Sequence, residues 1–345
     1  MAKESLAVKY RPKSFDDMTE QTAIKDILEN QIRTKTFQHG YLFTGPAGTG
    51  KTTSARIFAN MINEGKGNPI EVDAASNSGV DNIRQIIDDA KRKPLDAEYK
   101  IFIVDECHSL SNGAWQALLK TLEEPPKFTI FIFCTTDPQK IPNTILSRIQ
   151  RYQFQKISTK GIVKRLDYII AQEVVTNEDI VYTEDAVDYI AKVSTGGMRD
   201  AITLLDKCLS LSRILNLENV LKTIGAEDYD TFFNFIFSLV KKDKQICTNI
   251  IDGVYNAGKD VKQFLKDFAK FILDVEKYLI YSNTDYINIP ATSENIKDLE
   301  ELTEHRDSVF KVMDFIVNLN SQLKWESDAK TLTELSILVY CGKEN

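Results

Sequence analysis

The segment Gly45-Pro46-Ala47-Gly48-Thr49-Gly50-Lys51-Thr52 follows directly on the apolar run Tyr41-Leu42-Phe43. These residue types at this spacing suit one ligand chemistry, the phosphates of a nucleoside triphosphate. The glycines let backbone N–H groups curl around phosphate oxygens, and a helix starting near Lys51 points its positive dipole end at them. Lys51 supplies a point charge beside the β- and γ-phosphates, and the Thr52 hydroxyl suits Mg²⁺. A second run, Ile101-Phe102-Ile103-Val104-Asp105-Glu106, ends a buried strand in two acids. Ligands of a parallel sheet bind at the carboxyl ends of its strands, so both acids belong beside the phosphate loop. Asp105 is then placed for Mg²⁺ through its water shell, and Glu106 for orienting and polarising an attacking water. A third apolar run ends in Thr135-Thr136, whose hydroxyls could position the same water. Two arginines, Arg148 and Arg199, are set at helix ends where a γ-phosphate could be met, but spacing alone assigns neither. His108, two residues after Glu106, reads as structural.

These residues need a scaffold, and the first half of the chain reads as one. Candidate strands are His39–Thr44, Pro69–Asp73, Lys100–Asp105, Phe128–Thr135 and Ile149–Phe154. They alternate with amphipathic stretches at Glu20–Thr34, Lys51–Asn63, Val80–Arg92, Asn112–Glu123 and Pro142–Ser147. That alternation is the pattern of a parallel sheet covered by helices. Nothing after about residue 155 reads as a further strand of this kind. Helical periods follow at Thr159–Glu173, Thr183–Ser194, Met198–Ser212 and Leu217–Thr223, with Gly196-Gly197 separating the second from the third. A last helical block runs from Tyr229 to Cys341, interrupted by the polar stretch Ser282–Ser293. The expected architecture is an α/β phosphate-loop domain with a parallel sheet (1–156), a small α-helical lid domain (157–225) and an α-helical C-terminal domain (226–345). The apolar content of Phe310–Leu323 exceeds one buried face, which points to oligomerisation by that last domain.

Composition narrows the function classes. The 345 residues carry a net charge of −7, which argues against a chain that coats nucleic acid indiscriminately. Residues 1–156 hold 21 Lys and Arg against 19 Asp and Glu, and the remainder 22 against 31. An assembly with one face toward an acidic partner would suit that split. No run approaches a membrane span and Met1–Leu6 does not open a signal peptide, so the cytoplasm is expected. The five cysteines are scattered with no Cys-x-x-Cys pair, as buried thiols would be.

In chain order, Val8-Lys9-Tyr10-Arg11-Pro12, Gly45–Thr52, Asp105-Glu106-Cys107-His108, Thr135-Thr136-Asp137, Ser147-Arg148 and Gly197-Met198-Arg199-Asp200 resemble the AAA+ clamp-loader ATPases. Within them the resemblance is greatest to the gamma/tau subunits of bacterial DNA polymerase III. It includes Glu71–Asn77 and Leu118–Pro126, is dense over residues 6–210 and is thin afterwards. It implies ATP and Mg²⁺ as ligands, with Tyr10, Arg11 and Pro12 bordering the adenine and Gly45–Thr53 holding the phosphates. Thr52 and Asp105 would serve the metal and Glu106 the water. Thr136, with Thr135 as its near alternative, would be the first sensor and Arg199 the second. Arg148 would reach into a neighbouring subunit's site. The implied partners are other clamp-loader subunits in a pentameric ring, a sliding clamp and primer–template DNA, the last met by Asn77, Ser78 and Arg84 without sequence specificity. The chain departs from that family in three ways. Met61–Asn68 holds no cysteine where the family carries a four-cysteine zinc module, so no zinc is expected. Ser147-Arg148 is followed by Ile149 instead of Cys, and the sequence ends at Asn345, before the long extension of the tau forms. The competing expectations are another AAA+ DNA-maintenance ATPase, in branch migration or recombination, or a non-hydrolysing stator, which the intact Lys51, Thr52, Asp105 and Glu106 disfavour.

Overall fold

The computed structural model describes residues 4–176, 179–224 and 228–342. They divide into two compact units, 1–219 and 220–345. The first unit is built from α1 (Leu6–Lys9), α2 (Thr22–Thr34), β1 (Gly40–Thr44), α3 (Lys51–Ile62), β2 (Ile70–Asp73), α4 (Val80–Ala90), β3 (Lys100–Asp105), α5 (Asn112–Glu123), β4 (Thr129–Thr135), α6 (Asn143–Leu146) and β5 (Gln150–Gln153). It continues with α7 (Thr159–Thr176), β6 (Val181–Tyr182), α8 (Glu184–Val193), α9 (Met198–Leu211) and β7 (Ile214–Leu215), and α10 (Leu217–Ile224) crosses the boundary between the units.

The five long strands form one parallel sheet in the order β2-β3-β4-β1-β5. Side chains alternate across it, so each strand feeds two cores. Tyr41, Phe43, Ile101, Ile103, Ile130 and Ile132 pack on one face against Leu28 of α2 and Phe58 of α3. Leu42, Phe102, Val104, Phe131 and Phe133 pack on the other against Ile83 of α4 and Trp115 and Leu118 of α5. The central strands β1 and β4 are buried throughout, whereas the edge strands β2 and β5 are largely exposed. In-register pairs such as Thr44 with Thr135 and Asp73 with Asp105 bring the strands' carboxyl ends level at one rim.

Local differences from the sequence reading have simple causes. The second helix starts at Thr22 instead of Glu20, because Glu20 and Gln21 both adopt left-handed backbone, with φ of 57°. Two further strands exist after residue 155. Val181–Tyr182 and Ile214–Leu215 pair in parallel as a separate two-stranded sheet. Two residues are too few to show a strand period, and Val181 and Ile214 are exposed.

The second unit is helical, with α11 (Asp228–Val240), α12 (Lys244–Asn256), α13 (Val261–Tyr281), α14 (Ser293–Thr303), α15 (Arg306–Leu323) and α16 (Ala329–Gly342). Its core packs Phe232, Phe235, Phe264, Phe268 and Phe271 together. The polar interruption between α13 and α14 is held by the buried Asp274 carboxylate, which accepts from the backbone N–H and the Nδ2 of Asn288. Along α15, Val309, Val312, Ile316, Leu319 and Leu323 face inward, while Phe310 and Val317 stay exposed on the opposite side.

No described helix is long and apolar enough to cross a membrane. The five cysteines are buried free thiols. The interval between α3 and β2 contains no cysteine, and no metal-holding group of three or more His, Cys, Asp or Glu side chains occurs among the described residues.

Candidate nucleotide site

At the rim, the chain leaves β1 through the glycine loop and enters α3 at Lys51. Gly45, Gly48 and Gly50 have φ of 144°, 70° and 99°, which residues with a Cβ rarely adopt. Lys51 is buried, and its ammonium donates to the carbonyls of Gly45 and Pro46 at 2.9 and 2.8 Å. Burial holds its pKa below the usual lysine range, and the nearby acids Glu106 and Asp105 only partly oppose this. The Thr52 hydroxyl donates to Asp105 Oδ2 at 2.8 Å, across the gap between α3 and β3.

The residue after Asp105 is strained. Glu106 sits at φ 46°, with its N–H donating to Asp105 Oδ1 at 3.0 Å. Left-handed backbone at a non-glycine residue costs roughly 1–2 kcal/mol and aims the side chain away from the strand's continuation. Glu106 Oε2 accepts from the Thr136 hydroxyl at 3.3 Å and lies 3.3 Å from His108 Nδ1. Thr135, by contrast, is fully buried. Its hydroxyl accepts the Asp137 N–H at 3.0 Å and lies 3.0 Å from His108 Nδ1. The two threonines therefore differ: Thr136 meets the acid, and Thr135 anchors the turn.

A cavity of about 480 Å³ is lined by Lys51, Thr52, Asp105 and Glu106, whereas Thr136 stays outside the lining and meets it only through Glu106. Of the residues singled out in the sequence, Tyr10, Arg11, Pro12, Ala47 through Thr53, Asp105, Glu106 and Arg199 line it. Gly45 and Pro46 do not, and meet Lys51 through their carbonyls instead. Arg148 is also outside the lining. Its guanidinium lies at the surface, donating to Glu123 Oε1 at 2.5 Å and to the Thr144 carbonyl at 2.5 Å. Asn77 and Ser78 lie in the turn before α4, where the Asn77 N–H donates to the Asp73 carbonyl at 3.0 Å. Arg84 is exposed and pairs with Asp81 at 3.1 Å.

The sequence reading missed part of the lining: Ala7, Met18, Thr19, Arg56, Ile157, Arg165, Met198, Asp200 and Ile202. Arg165 adds a further cation, from α7, and donates to the Tyr10 carbonyl at 2.9 Å. No motif marks it, since it is one basic residue in an amphipathic helix. The docking of the N-terminal segment was equally hidden. Glu173, buried on α7, accepts from Lys9 Nζ at 2.6 Å and from the Tyr10 hydroxyl at 2.7 Å. The α1 N-terminus is held in the same way, the Leu6 N–H donating to Asp206 at 3.0 Å.

The oxygen donors fit magnesium. The Thr52 hydroxyl gives its hydrogen to Asp105, leaving lone pairs for a hard cation. A site with so few protein oxygens is the kind Mg²⁺ uses when phosphates and water complete its shell.

Residues 70–158 match the family model described as DNA polymerase III, delta subunit, and residues 162–220 match that described as the DNA polymerase III clamp loader subunit, ATPase lid domain. DNA polymerase III subunit gamma of Buchnera aphidicola is 30% identical, over 78% of this chain and 80% of that one. The chain belongs to the DNA polymerase III gamma/tau family. Subunit tau of Bacillus subtilis is 35% identical over 99% of this chain, and gamma/tau of Mycoplasma genitalium 33% over 91%. The chain spans 64% and 56% of the length of those two gamma/tau relatives. Among solved structures, the Thermotoga maritima RuvB branch migration motor superposes with a TM-score of 0.51, at 22% identity over 67% of this chain and 79% of that one. At that identity the likeness shows a shared fold alone.

Proposed function

We propose that the chain is an ATP-hydrolysing motor subunit of a clamp loader, which opens a sliding clamp and places it on primer–template DNA. The observation that supports this best is one cavity lined by the phosphate loop, the Asp105–Glu106 pair and Arg199 of the lid. Lys51 and the loop N–H groups bind the ATP phosphates, and Tyr10, Arg11 and Pro12 border the adenine. Thr52 and Asp105 would hold Mg²⁺, whose charge would offset that of the phosphates. Glu106 orients the attacking water with Thr136 beside it, and Arg199 meets the γ-phosphate from the lid. Arg148 lies outside its own subunit's cavity, which suits an arginine acting on a neighbour's ATP. Sites of that kind require an oligomer, proposed to be a pentameric ring, and the cytoplasm is its proposed location. We assign the sheet to 1–156, the lid to 157–225 and an oligomerising collar to 226–345. DNA is met through phosphates by Asn77, Ser78 and Arg84, so affinity is salt-dependent and not sequence-specific.

The test is ATP hydrolysis by the reconstituted assembly, with and without primed DNA and clamp, for the native chain, Lys51→Ala and Arg148→Ala. Stimulation by DNA plus clamp that either substitution abolishes is the expected result. Hydrolysis indifferent to both ligands would leave an ATPase with no loader function.

A further inference from the structure

Arg148 is held by acceptors of its own chain. Nη1 donates to the Thr144 carbonyl at 2.5 Å and to Ser147 Oγ at 2.9 Å, and Nη2 donates to Glu123 Oε1 at 2.5 Å. A guanidinium has five N–H donors in one plane. Two of these acceptors come from the turn that carries Arg148 and move with it. Glu123 alone comes from a separate element, 25 residues away at the end of α5. That helix is fixed to the sheet by Trp115, Leu118 and Leu122, all buried. The Glu123 contact therefore ties the guanidinium plane to the rigid core of its own subunit. It leaves the Nε hydrogen and one Nη2 hydrogen for an acceptor beyond the chain.

We propose that Glu123 is a positioning residue for Arg148, fixing the orientation in which its guanidinium is offered to the neighbouring subunit's ATP. The inference rests on the trans role given to Arg148 above. Arginine carries several rotatable bonds, and an arginine free at a surface samples many of them. Holding the plane at two separate points removes that search before the subunits meet, which is how a positioned group gains rate in phosphoryl transfer. Glu123 does not line the cavity, so nucleotide binding within its own subunit is not its task.

The test compares Glu123→Ala, Glu123→Gln and Arg148→Ala in the reconstituted assembly with primed DNA and clamp, following kcat and KM for ATP and the melting temperature of each chain. Glu123→Ala is expected to lower the stimulated kcat about tenfold with KM and melting temperature unchanged. Glu123→Gln keeps an oxygen acceptor for Nη2 and is expected to recover much of that loss. A stimulated kcat in Glu123→Ala that is unchanged or raised, while Arg148→Ala abolishes stimulation, overturns the positioning role alone. No effect of Arg148→Ala overturns the trans reading itself.

Discussion

The backbone N–H of Met198 donates to the carbonyl of Gly48 at 3.0 Å, so the first turn of the lid helix α9 hangs on the phosphate loop. Met198 precedes Arg199, and both line the nucleotide cavity. A shift of the loop on binding phosphate would therefore reach Arg199, proposed above as the second sensor, through this contact.

Gly48→Ala tests this contact. Gly48 has φ of 70°, and a Cβ there would come 3.1 Å from the Gly197 Cα, a backbone atom that cannot swing aside. Left-handed backbone at alanine costs roughly 1–2 kcal/mol, equivalent to about tenfold in affinity if the strain falls on the bound state. Titration with a fluorescent ATP analogue should show ATP binding weakened by about that factor. Native affinity in the variant would mean that lid and loop part without consequence.

Thr135 and Thr136 should separate stability from catalysis. Thr135→Val removes the fully buried hydroxyl that accepts the Asp137 N–H and meets His108. A hydrogen bond of this kind contributes about 0.5–1.5 kcal/mol, so the melting temperature should fall. Thr136→Ala removes the hydroxyl that meets Glu106 and should lower kcat about tenfold with little change in melting temperature. The reverse pattern would move the sensor role to Thr135.

The sheet and phosphate loop were legible in the sequence because burial and backbone geometry leave few choices there. A run such as Ile101–Val104, apolar at every position, short and rich in β-branched residues, suits a strand covered on both faces. Glycines with φ that alanine resists mark the loop as plainly. What stayed hidden were long-range contacts. Arg165 reaching Tyr10 and Glu173 holding Lys9 and Tyr10 span 155 to 164 residues, and neither belongs to a local pattern. The strand pair at Val181 and Ile214 is too short for periodicity. Thr135 and Thr136 differ only in what the folded chain sets beside them.

Glu173 gives a prediction in pH. The carboxylate hydrogen bond, and to a lesser extent its charge, raise the Lys9 pKa. Burial, then the same carboxylate, raise that of Tyr10. A lysine with a raised folded pKa contributes stability that is fully present below its unfolded value of 10.5 and is lost as pH rises through the higher folded value. The Tyr10 hydroxyl likewise stays protonated past its ordinary value of 10.0. The difference in melting temperature between the native chain and Glu173→Gln should therefore stay constant from about pH 6 to 9 and shrink in stronger alkali. Because Tyr10 borders the cavity, Glu173→Gln should also weaken ATP binding at neutral pH. A stability difference that varied with pH near neutrality would place the linkage on another group.

The pairing of Thr52 with Asp105 makes a prediction about magnesium. The hydroxyl hydrogen is committed to Oδ2 at 2.8 Å, which orients the oxygen lone pairs toward the cavity. Thr52→Ser keeps that arrangement, whereas Thr52→Ala removes the oxygen and Asp105→Asn weakens the charge behind it. Magnesium titrations of ATP hydrolysis should show Thr52→Ser near native, with Thr52→Ala and Asp105→Asn needing about ten- to a hundredfold more metal for half-maximal rate. A chelator should abolish hydrolysis yet leave the melting temperature of the nucleotide-free chain unchanged. Two protein oxygens without phosphates hold Mg²⁺ too weakly to stabilise the fold. A chelator-induced fall in melting temperature would instead reveal a tightly held structural metal, a site different in kind from the one formed by Thr52 and Asp105.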